Sequence, residues 1–103
     1  MPTEKDIEFV KFLFESTKQG KVQWEPTARQ NEFTTSLQGK YRVFTNNPTG
    51  YPMIELWDNA DQTLLNLNSI EVGVVAELYE FVRRKALNVD AVLDNLMRGE
   101  RKA

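Results

Sequence analysis

Apolar side chains recur at helical spacing at both ends of this chain and alternate with polar ones in between. That change of period constrains the fold more than any other feature. Near the N-terminus, Ile7, Val10, Leu13, Phe14 and Thr17 form one stripe, and Phe9 and Phe12 widen it. Thr3 and Asp6 have the spacing of a capping box, with Asp in the usual Glu position, and Gly20 is a natural stop. One amphipathic helix over residues 4–18 is expected.

The middle of the chain has a period of two. Val22 and Trp24 alternate with polar neighbours, and Pro26 biases Glu25 towards extended backbone. A short strand is expected at 21–25, then a polar loop to about 31. In FTTSLQGKYRVFT, a three-residue turn with Gly39 in the left-handed region keeps the apolar side chains on one face. It is expected to set Thr35 against Tyr41 and Phe33 against Val43. A two-residue Gln38–Gly39 turn would pair Leu37 with Lys40 and mix the faces. NNPTGYP is a loop by its turn residues, MIELW the next strand, DNADQ a turn and TLLNLN a further strand.

The helical period then returns. Asn68 followed by Glu71 marks a helix start, with Val75, Leu78, Val82 and Ala86 as its buried stripe and Phe81 and Leu87 beside it. Gly73 costs about 1 kcal/mol relative to Ala inside a helix, which makes Val74 an alternative start. Asn88 can cap a last helix carrying Val89, Val92, Leu93, Leu96 and Met97, and residues 98–103 read as a frayed tail. The fold class is α+β, as a single domain over residues 1–103. It has an N-terminal helix, a four- to five-stranded, mostly antiparallel meander, and two C-terminal helices packed on one sheet face.

Composition narrows the chemistry. The 103 residues include no Cys and no His. That removes disulfides, thiol nucleophiles, thiolate-held zinc and the usual general base near neutral pH. No cofactor and no metal is expected. The formal net charge is −2 and is spread evenly along the chain, so the overall field favours neither nucleic acid nor an anionic membrane. MPTEKDIEFV lacks a basic stretch followed by an apolar run, and no apolar run approaches the roughly 18 residues that span a bilayer. A soluble, cytoplasmic protein is the expectation.

The three consecutive cations Arg83, Arg84 and Lys85 suit a helix C-terminus. Glu80 has i,i+4 spacing to Arg84, as Asp94 has to Arg98. The stretch ELYEFVRRKALNVDAVLDNLM is therefore read as the cover of a small core. Strand QTLLNLN, a helix, a short joint and a second helix over residues 62–98 also resemble the ribbon-helix-helix repressors. The resemblance implies a strand paired across a dimer, with Gln62, Asn66 and Asn68 as DNA-contacting residues in the major groove. Leu64 departs from that pattern by standing where a polar base-reading side chain belongs. The strand also has no Lys or Arg for phosphate or guanine, and a whole meander precedes it.

Other sites are weaker. Asp58 and Asp61 lack the ligand alternation, Gly and closing Glu of an EF-type calcium loop, and NNPTG lacks the Lys of a phosphate loop. A small enzyme or ligand-binding protein would have to use Glu25, Glu32, Glu55 and Asp58, which fall on different elements.

The outer sheet face is the most informative feature. If Phe33, Thr35, Tyr41, Val43, Ile54 and Leu56 face the helices, then Thr34, Arg42, Phe44, Met53, Glu55 and Trp57 face away. Pairing Val43 with Ile54 sets Phe44 beside Met53 and Arg42 beside Glu55, leaving Phe44, Met53 and Trp57 as an exposed apolar patch. The expectation is a non-enzymatic protein-interaction or regulatory module. It would self-associate through Arg42, Phe44, Met53, Glu55 and Trp57, with a homodimer as its simplest form.

Overall fold

The computed structural model describes residues 2–102, and the side chains of residues 2–99. Helix α1 (Glu4–Lys18) is followed by strands β1 (Glu25–Pro26), β2 (Glu32–Leu37), β3 (Tyr41–Asn46), β4 (Met53–Trp57) and β5 (Thr63–Asn68). Helices α2 (Val74–Ala86) and α3 (Val89–Lys102) complete the chain. The sheet is a meander in the order β1-β2-β3-β4-β5, antiparallel throughout. Helix α2 packs against β4, β5 and α1, so the expected α+β architecture is the one observed.

Helix α1 has the expected bounds and cap. The Asp6 N–H donates to Thr3 Oγ1 at 3.1 Å, and the Thr3 N–H donates to Asp6 Oδ2 at 3.0 Å. Val10, Leu13 and Thr17 are buried, but Phe12 lies outside the buried stripe and is 61% exposed. The strand expected at 21–25 is reduced to Glu25–Pro26, which pairs with Phe33 and Thr34. Side chains dock the residues before it: Thr35 Oγ1 donates to the Gln23 carbonyl at 2.7 Å, and Trp24 Nε1 donates to Thr17 Oγ1 at 3.1 Å. Pro26, which has no N–H to give, is tolerated on this edge strand.

Both hairpin registers are offset by two residues from the expected ones. The β2–β3 loop has three residues, but Leu37 and Tyr41 close it, so Thr35 faces Val43 and Phe33 faces Thr45. Gln38 joins Gly39 in the left-handed region, at φ 56° and 68°. Along β3 and β4, Val43 faces Leu56 rather than Ile54, which sets Phe44 against Glu55 and Arg42 against Trp57. An offset of two keeps every side chain on its own face. The expected division into a helical and an outer face therefore holds, although Tyr41, at the end of β3, remains 38% exposed.

Asn68 caps a single turn before α2. Its Oδ1 accepts from the N–H groups of Ile70 and Glu71 at 3.0 and 2.9 Å, and α2 itself begins at Val74 after Gly73. Val75, Leu78 and Val82 are buried as the periodicity predicts, and Phe14 meets Phe81 edge to face at 5.9 Å between α1 and α2. Glu80 pairs with Arg83 rather than Arg84, through two contacts of 2.9 and 3.2 Å that hold its carboxyl below the usual value. Arg84 instead reaches across the joint to Asp90.

Asn88, at φ 55°, turns the chain between the two helices, and α3 then runs on to Lys102 where a frayed tail from residue 98 was expected. The core-cover reading of this stretch holds for α2 only. Along α3, Val92, Leu93, Leu96 and Met97 are all exposed.

Tyr79 packs on Phe33 with ring centroids 6.1 Å apart. Burial raises its phenol above the ordinary value of 10.0, opposed by Arg83 and reinforced by Glu80. The raised value favours the neutral form, so the contribution to stability is present below pH 10 and is lost as pH rises through the folded value. A titration of phenolate absorbance should show a late ionisation, above the ordinary tyrosine range, that Tyr79→Phe removes. A titration curve that Tyr79→Phe leaves unchanged at its high-pH end would contradict this.

Candidate functional site

Among the described residues no helix packs on the outer face of the sheet; α2 packs on the side that holds Ile54 and Leu67, and those two residues are buried. Phe44 and Trp57 meet edge to face there, with centroids 6.1 Å apart and planes at 73°. Trp57 Nε1 donates to Glu55 Oε2 at 3.1 Å, so the indole is pinned by its own neighbour two residues back. Phe44, Met53, Glu55 and Trp57 are half-buried, and Arg42 is exposed.

The register decides which of these side chains meet. Phe44 and Trp57 are diagonal neighbours across β3 and β4, whereas Met53 sits at the far end of its strand between Asn46 and Asn68. Arg42 lies opposite Trp57, so the expected Arg42–Glu55 cross-strand pair does not form. Around Phe44 and Trp57 is an open groove of about 650 Å3, lined also by Arg29, Lys40, Arg42, Glu32, Glu55, Asp58 and Asp61. Met53 is outside it. Arg29 and Asp61 come from loops that the strand alternation says nothing about.

Of the carboxylates weighed for an active site, Glu32, Glu55 and Asp58 come together in this groove, while Glu25 lines another. Each of the three already accepts an internal hydrogen bond. Glu32 takes one from Thr27 Oγ1 at 2.8 Å and one from Asn46 Nδ2 at 3.3 Å, Glu55 takes one from Trp57, and Asp58 takes those of the Ala60 and Gln62 N–H groups. Asp58 thereby closes the β4–β5 hairpin, the turn role expected of DNADQ. Among the described residues, no group of three or more Asp or Glu side chains is placed to hold a metal ion.

The residues of the repressor resemblance are scattered in their duties. Asn66 points outward opposite Glu55 on the edge strand β5, and Leu64 on the same strand is 51% exposed. Asn68 is occupied in capping: besides the two N–H groups it accepts, its amide donates to Glu71 Oε1 at 3.1 Å. Gln62 lies in the turn, with its N–H and carbonyl both bonded to Asp58.

The surface that sequence reasoning missed is α3. Its apolar stripe is legible in the sequence, but its exposure follows from α1 and α2 already filling the core. No helix among the described residues is long and apolar enough to cross a membrane. No protein-family model matches this chain, and no curated protein or solved structure is significantly similar to it.

Proposed function

We propose that this chain is a small non-enzymatic protein-interaction module that receives a segment of another protein on its outer sheet face. The observation that carries this reading is the Phe44–Trp57 pair, set in an open groove among charges of both signs on a face that no helix among the described residues covers. Aromatic side chains with Arg beside them are the typical anchors of such contacts, and Arg42 lies directly opposite Trp57. The internal hydrogen bonds of Glu32, Glu55 and Asp58 favour binding over acid–base work, because each carboxylate already has a structural partner. Self-association, first expected on this same face, has a stronger candidate in the more exposed side chains of α3.

Peptides selected from a random phage-displayed library on the wild-type protein should lose about 30-fold in affinity on Trp57→Glu, the equivalent of about 2 kcal/mol for an anchor residue. Phe44→Ala should weaken the same peptides, with both variants keeping the wild-type circular dichroism. Selected peptides indifferent to both substitutions would overturn the reading.

A further inference from the structure

We propose that α3 is a self-association element, and that the α3 helices of two copies of this chain pack antiparallel along their apolar stripes. Val92, Leu93, Leu96 and Met97 are 51%, 44%, 59% and 49% exposed, on one side of a helix that reaches the rest of the chain through α2. The molecule is drawn out accordingly. Its extents are 53 × 28 × 26 Å, and its radius of gyration of 15.3 Å exceeds the roughly 13 Å of a compact chain of this length.

A helix of 14 residues with no apolar partner is marginal in water, because packing of the apolar face supplies most of the stability of short helices. The stripe therefore calls for a cover, and the charges say which one. Of the charged side chains described on α3, Asp90 and Asp94 lie in its first half and Arg98 in its second. Laid parallel, two such helices oppose like charge to like. Laid antiparallel, each acidic half meets a basic half, and the two helix dipoles are opposed as well. A second copy is the occupant that matches this helix in length, stripe and charge at once.

The antiparallel arrangement also covers the joint. Helix α3 is about 21 Å long at 1.5 Å per residue, so its tip lies beside the partner's α2–α3 joint, where Leu87 is 48% exposed. One helix supplies fewer residues than the roughly 20–30 per side of a standard interface. A dimer that dissociates on dilution is therefore expected.

Light scattering across a concentration series tests this directly. The wild-type mass should rise towards twice the 11.9 kDa of one chain, and Leu96→Glu should stay at one chain's mass while keeping the near-ultraviolet circular dichroism of the folded core. The chain has no Cys, so an introduced thiol reports geometry: Leu93→Cys should oxidise to a covalent dimer and Val89→Cys should not. Trp57→Glu should leave the dimer intact. A wild-type chain that is monomeric throughout, a dimer indifferent to Leu96→Glu, a dimer split by Trp57→Glu, or cross-linking at both cysteine positions would each overturn the proposal. A monomer that sediments with phosphatidylcholine–phosphatidylglycerol vesicles would overturn it too, and would assign the stripe to a lipid surface.

Discussion

Leu78→Ala is expected to lower the melting temperature by about 10–20 °C, whereas Leu96→Ala, in the next helix, should leave it within a few degrees. Both are leucines on an apolar helical stripe, and only their surroundings differ. Leu78 is fully buried in the cluster that joins α1, α2 and the sheet, with Val10, Leu13, Val43 and Ile54 among its members. Truncation there removes transfer free energy and leaves a cavity, together about 2–5 kcal/mol. A domain of this size has about 5–15 kcal/mol in all. Leu96, 59% exposed, has little burial to lose in the isolated chain. Thermal unfolding of the two variants at a concentration low enough to hold the protein monomeric is the check. A loss below about 1 kcal/mol for Leu78→Ala would mean that the α2 stripe is not where the core lies.

That contrast marks the boundary of what the amino-acid sequence discloses. Periodicity identifies a stripe and its helix, and for α1 even the cap, because Thr3 and Asp6 interact within a single turn. It does not say what lies against the stripe. The α2 and α3 stripes look alike in the sequence; one meets β4 and β5 and the other meets solvent. The sheet shows the same limit. Alternation assigns Phe44 and Trp57 to the outer face, and a slip of two residues leaves that assignment intact. Contact between them depends on Val43 facing Leu56, which the residues of the β3–β4 loop at 47–52 did not disclose. The groove around the pair is less legible still, because Arg29 and Asp61 reach it from loops.

Thr17→Val is expected to cost about 1–3 kcal/mol although it preserves the shape of the side chain. The Thr17 hydroxyl is 2.7 Å from the Leu13 carbonyl, to which it donates, and it accepts from Trp24 Nε1 at 3.1 Å. Valine keeps the methyl contacts and removes the bond that holds the indole nitrogen, so the cost is that of a polar group left without its partner. The loss should concentrate in the segment before β1, which touches the body through Trp24, Val22 and the Thr35–Gln23 bond. Hydrogen exchange should therefore speed up at residues 21–26 more than in β3 or β4. Thr35→Val should act on the same segment, and because both bonds hold it, the double variant should cost less than the sum of the singles. Strict additivity would show that the two bonds act independently, and an exchange pattern unchanged at residues 21–26 would show that Val22 and Trp24 are held by apolar packing alone. The hydroxyl pair would then have no part in shaping this edge of the sheet.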